Sequence, residues 1–341
     1  MTGDKKCETD FTVILPDDCL GLYLDRLISD WSNRNVRIVF KNNNFKSPAF
    51  RSRFLSHVSE LDRSEQEKLV KMTDNMTTDD YAFGCTALHV VCYDGYIDLL
   101  QWLLDNKGDA GATRKDGASP LYIACLAGHL EVVIKLLQCN NVDPNLCNKY
   151  GASPLYIACL EGHLEVVCKL LECNNVDPNL CNKDGASPLY KACQEGHLEV
   201  VCKLLECNNV DPNLCDKDGV SPLYVACHKD HLEVVCKLLG CNQVDPNLCD
   251  KDGVSPLYVA CKGGHLEVVC KLLECNQVHP NLCDKDGVSP LYVACKGGHL
   301  EVVCKLLKFK ADSGLYTYSG RLPVDIATEK GYTEIVSVLK L

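Results

Sequence analysis

Gly117-Ala118-Ser119-Pro120-Leu121-Tyr122 returns 34 residues later as Gly151-Ala152-Ser153-Pro154-Leu155-Tyr156, and again, with little change, from Gly185, Gly219, Gly253 and Gly287. Six nearly identical copies at a fixed period mark a repeat architecture. Each copy is one supersecondary unit, too small to bury its own apolar face, and the stack of copies supplies the core.

In the copy around Gly253, Asp252-Gly253 reads as a turn whose glycine can take the positive φ of a chain reversal. Ser255 is placed to cap a helix and Pro256 to fill its first position, where a missing N–H costs nothing. Leu257, Val259, Ala260 and Cys261 form the apolar part of that helix, and Gly263-Gly264 ends it. His265 opens a second helix with Glu267 near its positive end. Leu266, Val268, Val269, Leu272 and Leu273 cover more than one of its faces, which predicts burial between neighbours. Asn276, like Val244-Asp245-Pro246-Asn247 one copy earlier, marks the return loop. Every unit is expected to run turn, helix, reversal, helix, loop.

The strings DKDGVSPLYVACKGGHLEVV at 250–269 and NKDGASPLYKACQEGHLEVV at 182–201 resemble ankyrin repeats, and the resemblance extends over roughly residues 81–341. It takes in two divergent outer copies, GCTALHVVCYDGYIDLLQWLL at 84–104 and GRLPVDIATEKGYTEIVSVL at 320–339, for about eight repeats. The resemblance implies an all-α fold, an ankyrin-repeat solenoid of helix-turn-helix pairs with β-turn fingers, and a non-enzymatic role in binding other proteins. The six central copies depart from the family pattern. Ser and Tyr replace Thr and His in Ser-Pro-Leu-Tyr, so the family's hydroxyl–imidazole hydrogen bond is expected to be absent. Each copy is also one residue longer than the usual ankyrin repeat. The extra residue falls in loops such as 173–179, where Asn174 or Asn175 is expected to take the left-handed position of the family's glycine.

Residues 1–80 do not repeat. Within 1–45, Phe11-Thr12-Val13-Ile14-Leu15 and Val36-Arg37-Ile38-Val39-Phe40 read as strands. Between them Leu20, Tyr23, Leu24, Leu27 and Trp31 fall at helical spacing, which suggests a small β-α-β region. Over 46–80 two helices are expected. One starts at Ser47-Pro48 with Phe50, Phe54, Val58 and Leu61 on one face; the other has Ser64 and Glu67 as a capping box. They read either as a helical cap on the 81–341 repeat domain or as a separate binding module.

The formal net charge is −11 over 341 residues, and the acidic excess is not gathered in a tail. That balance argues against nucleic acid and anionic membrane surfaces as partners. No run of 18 apolar residues is present, and the first residues, Met1 to Cys7, contain no apolar signal-peptide core. A reducing, cytoplasmic location is expected, with the nucleus as a further option, and the 25 cysteines are expected to be thiols. The chain is expected to be a monomer without cofactors.

Cysteine recurs at four places per copy, as in Cys261, Cys270, Cys275 and Cys283, but no pair has Cys-x-x-Cys spacing. Equivalent residues of stacked helices lie about 8–10 Å apart, too far for shared metal ligation or a disulfide. The cysteines therefore read as small apolar fillers and copied thiols. The same spacing argues against shared ligation by His129, His163, His197, His231, His265 and His299, and the ankyrin resemblance implies a structural role for them at the start of the second helix. No phosphate loop or nucleophile–base set appears, so the chain is not expected to be an enzyme.

Because the copies are nearly identical, their differences are informative. These cluster at the end of the first helix: Leu126/Ala127, Leu160/Glu161, Gln194/Glu195, His228/Lys229, Lys262/Gly263 and Lys296/Gly297. The ankyrin resemblance implies that these positions and the turn tips line a concave binding groove. The change from apolar and acidic groups in the earlier copies to Lys229, Lys262 and Lys296 in the later ones reads either as an electrostatically graded groove or as drift at solvent-facing positions that packing does not constrain. Tyr150 stands where other copies carry a turn aspartate, such as Asp184 and Asp218. Lys191 replaces an apolar residue such as Ile157 or Val225. The expected function is recognition of other proteins as a scaffold, adaptor or inhibitor. The alternative is a spacer or elastic tether without a specific ligand, which the sameness of the copies would suit.

Overall fold

The computed structural model describes residues 43–71 and 84–340, and all regular secondary structure among them is helical. The β-α-β region expected within 1–45 lies outside the described residues, except for a short 3-10 turn that begins at Asn43. The chain forms two compact units that divide between Lys149 and Tyr150.

The first unit opens with helices Pro48–Glu60 and Arg63–Val70. Ser47 caps the first, its hydroxyl accepting from Phe50 N–H at 3.4 Å. The second is capped not by Ser64 but by Asp62, which accepts from Glu65 N–H at 2.9 Å. A cap must lie outside the helix, and the chain has already turned helical at Arg63. Phe45 and Phe54 are buried edge-to-face, with centroids 5.0 Å apart. Two helix pairs follow: Ala87–Asp94 with Ile97–Asp105, and Pro120–Ala127 with Leu130–Leu137. Helix Pro48–Glu60 packs on Ile97–Asp105, where Arg51 pairs with Asp98 at 2.8 Å and stacks over Tyr96.

The second unit holds six helix pairs. Their first helices are Pro154–Leu160, Pro188–Glu195, Pro222–His228, Pro256–Gly263, Pro290–Gly297 and Pro323–Glu329. Their second helices are Leu164–Leu171, Leu198–Leu205, Leu232–Leu239, Leu266–Glu274, Leu300–Lys308 and Thr333–Leu339. First helices pack on first helices and second on second from one repeat to the next, as a stack of identical units requires. Leu257, Ala260 and Cys261 are fully buried in a first helix, and Val268, Val269 and Leu272 in the second after it. Leu266 differs from expectation. It sits at the helix start, ahead of the packed turns, and is 36% exposed.

The local signals act as read. Ser255 accepts from Tyr258 N–H at 3.1 Å, Pro256 occupies the first turn, and Gly264 ends the helix at φ +73°. The Asn174/Asn175 expectation fails. Left-handed residues at this loop are Lys107 and Lys310, in the two repeats one residue shorter than the rest. In the 34-residue copies the additional residue lets the loop turn with ordinary φ. Glu172 instead closes its helix in a right-handed conformation, and Val176 N–H donates to Cys173 O at 3.1 Å.

Repeats are joined by polar links that recur with the period. Asn213 donates to Gln243 O at 2.7 Å and accepts from Asp245 N–H at 2.8 Å, tying one loop to the next. His197, His231 and His299 place Nε2 3.0, 3.0 and 3.3 Å from carbonyls of the preceding repeat. Thr86 and His89 of the first repeat make the hydroxyl–imidazole contact at 2.9 Å, and His89 Nε2 reaches Ala118 O at 3.0 Å. In the central copies the tyrosine hydroxyl reaches forward instead: Tyr224 to Asp250 at 3.2 Å and Tyr258 to Asp284 at 2.9 Å.

Candidate protein-binding surface

The fingers are built by a fixed turn. In the finger around Gly219, Asp216 N–H donates to Val220 O, Gly219 N–H to Asp216 O, and the Asp216 carboxylate accepts from Asp218 and Val220 N–H. One backbone hydrogen bond joins each finger to the next: Lys183 N–H to Tyr150 O at 2.9 Å, then Lys217 to Asp184, Lys251 to Asp218 and Lys285 to Asp252. A Cβ on Gly151 would lie 2.7 Å from Lys183 N, so this ladder needs glycine. Tyr150 stands on the first finger of the second unit, 51% exposed.

The other predicted residues lie at the ends of the first helices, where the chain is about to reverse direction, except Lys191, which lies midway along Pro188–Glu195. Glu161, Glu195, His228, Lys229, Lys262 and Lys296 are exposed, and Leu160, Lys191 and Gln194 are half-buried. Lys191 lies along its own helix, donating to Gln194 Oε1 at 2.8 Å with its ammonium 5.6 Å from the Tyr190 ring centroid. Of the basic members, His228, Lys229 and Lys262 lie near one another. Burial first, and then the charges of Lys229, His265 and Lys262, hold the His228 pKa below its usual value.

Three exposed residues of the second unit were passed over by the sequence reading. Asp230 occupies the reversal position that Gly162, Gly196, Gly264 and Gly298 hold in other repeats, and it takes φ +61°. At Gly196 and Gly264 a Cβ would meet the next repeat's histidine ring at 2.8 and 2.6 Å. Asp230 does carry a Cβ, and His265 pairs through Nδ1 with its carboxylate at 3.5 Å. The signal was present in the sequence: one reversal glycine among otherwise uniform copies is an aspartate. At the far end of the unit, Tyr316 and Tyr318 are 68% and 81% exposed on the last finger.

Among the described residues all cysteines are free, and no group of three metal-ligating side chains converges. Burial pushes the thiols of Cys159, Cys193, Cys227 and Cys261 above their ordinary range, and that of Cys295 up to about 12. Thiols held protonated are poor nucleophiles and poor metal ligands. No helix among the described residues is long and apolar enough to cross a membrane.

The family model for ankyrin repeats matches residues 63–146, 133–214, 200–282 and 271–340. This chain belongs to the ankyrin-repeat family. Its ankyrin repeats are 30% identical over 83 residues to Notch-regulated ankyrin repeat-containing protein B of Danio rerio, covering 23% of this chain and 75% of the relative. They are also 30% identical over 81 residues to the Homo sapiens Notch-regulated ankyrin repeat-containing protein, covering 22% and 71%. Among solved structures, the ankyrin repeat domain of Bcl-3, a member of the IkappaB protein family, matches with a TM-score of 0.60 at 26% identity. That match covers 67% of this chain and all of the Bcl-3 domain. Ankyrin repeats generally mediate protein–protein interaction and form a non-enzymatic module family.

Proposed function

We propose that this chain is a protein-recognition module that acts as a scaffold, adaptor or inhibitor inside the cell. Its binding surface is the finger tips and first-helix ends of the second unit. One observation carries the reading: nearly identical repeats diverge at Glu161, Glu195, His228, Lys229, Lys262 and Lys296, and these side chains point to solvent, whereas the buried positions between them repeat almost without change. A repeated backbone holds such residues in fixed register, so little ordering entropy opposes binding. Helix Pro48–Glu60, which packs on Ile97–Asp105 of the first repeat, fits a cap for an otherwise open end.

The test is affinity capture from source-cell lysate with the full chain and with a variant carrying alanine at Tyr150, Lys191, His228, Lys229, Lys262 and Lys296. A protein held by the first and lost by the second is the expected result. Equal capture by both moves recognition to another face. Absence of capture favours the spacer, the reading that the sameness of the copies would suit.

A further inference from the structure

Leu160, Gln194, His228, Lys262 and Lys296 occupy one equivalent position in five successive repeats of the second unit, and they change from apolar through neutral to cationic in chain order. Their helices pack directly on one another. Consecutive members therefore stand about 10 Å apart, one helix-packing distance. Lys229 adds a cation beside His228.

The cations of this row are uncompensated. Lys229, Lys262 and Lys296 are exposed and form no ion pair among the described residues. Lys169, Lys203 and Lys271, on the second helices, each hold a glutamate at 2.9 to 3.2 Å. Asp230, the nearby carboxylate, is turned to His265. A chain of net charge −11 thus leaves three unpaired ammonium groups on one surface, with Glu161 and Glu195 at that surface's other end.

We infer that this row docks an extended polypeptide segment whose carboxylates recur at every third residue, with an apolar side chain directed at Leu160. The inference rests on the recognition reading above. An extended chain in the polyproline II conformation has three residues per turn and advances about 3.1 Å per residue, so every third side chain lies on one face and three residues span about 9 Å, close to the step of the row. Each third side chain then meets one repeat. The acidic positions face Lys262 and Lys296, and the less charged ones face Gln194 and Leu160. A single-stranded nucleic acid carries its charge along its whole length and would be repelled at Glu161 and Glu195. A peptide can be acidic only where the lysines are.

The experiment is fluorescence anisotropy on the full chain with two labelled synthetic peptides of equal composition. One places a leucine and then glutamates at three-residue intervals; the other has the same residues with the glutamates contiguous. The spaced peptide is expected to bind several-fold more tightly. K262E/K296E is expected to weaken it roughly tenfold or more, through two exposed ion pairs lost and two repulsions gained. K262Q/K296Q is expected to weaken it less, and added salt to reduce the difference. Equal affinity for both peptides, or binding unchanged in K262E/K296E, overturns the inference. Failure of both peptides to bind also overturns it, while the lysate capture separately decides whether the surface recognises any protein.

Discussion

Replacing Gly264 by alanine isolates the device that joins one repeat to the next. Gly264 has φ +73°, and a Cβ there would lie 2.6 Å from Nδ1 and Cε1 of His299, whose Nε2 approaches Lys262 O at 3.3 Å. An L-residue in the left-handed region costs about 1–2 kcal/mol. Loss of glycine's freedom in the unfolded chain returns about 0.4–1 kcal/mol, which leaves a net cost of roughly 1 kcal/mol. Displacing the imidazole from its carbonyl adds about 1 kcal/mol, so G264A should cost about 2 kcal/mol. Gly331 provides the control, because it has φ +75° and nothing within 4 Å of a built Cβ. G331A should show the backbone cost alone, about 1 kcal/mol. Urea midpoints would read the whole chain, and amide hydrogen exchange over residues 256–300 the joint itself, since long repeat arrays need not unfold in one step. In the G264A/H299A cycle the clash disappears with the ring, so the double variant should fall short of additivity by about 1 kcal/mol. Equal costs for G264A and G331A, together with an additive cycle, would show that the His299 ring does not constrain this position.

Asp230 is the natural counterpart of that substitution, so D230G should stabilise the joint by no more than about 0.5 kcal/mol, the left-handed cost relieved less glycine's freedom in the unfolded chain and the exposed contact with His265; faster exchange over residues 222–270 would count against it. His89 is buried, and burial pushes its pKa from 6.5 down to about 4. The folded first repeat keeps it neutral while the unfolded chain protonates near 6.5. Its contribution is therefore complete above pH 6.5 and is lost as pH falls toward 4, by up to about 3 kcal/mol. Exchange over residues 87–105 at pH 7 and pH 5 should show this in the native chain and not in H89Q. Iodoacetamide at about pH 8.5 should label exposed Cys304 first and leave buried Cys159, Cys193, Cys227 and Cys261 intact until the chain unfolds. Labelling of all five at one rate would contradict their burial.

The helix starts could be read from the sequence because each depends on neighbouring residues: Ser255 caps, Pro256 fixes the first turn, and Gly264 alone permits the reversal. The interior could be read because Val268, Val269 and Leu272 repeat on one side of a helix. What escaped depends on partners far along the chain. Whether Tyr258 replaces the lost imidazole link is decided by Asp284, 26 residues on. The left-handed position expected at Asn174 disappears because a longer loop has another way to turn, a choice that local propensity does not settle. The candidate row was readable as variation. That Lys262 and Lys296 lack counter-ions became visible only once the carboxylates of adjacent helices were placed.

Near-identity of the copies has an energetic consequence of its own. The stability of a stack is approximately a sum of unit terms and neighbour terms. Where units are copies, the neighbour terms are nearly equal, and opening is decided by the exceptions. The joint between the repeats that start at Gly219 and Gly253 is one: it has a strained residue at Asp230 in place of glycine, and a His265–carboxylate contact at 3.5 Å where His231 and His299 contact carbonyls. The same segment is where the surface changes sign, from Glu195 to His228-Lys229. On the proposed recognition surface, residues 228–230 would set both the charge offered to a partner and the strength of the joint beneath it, so a partner holding Lys229 and Lys262 together would span that joint. Binding there should slow exchange across this joint more than across the joint at Gly264, whose glycine and histidine are both in place.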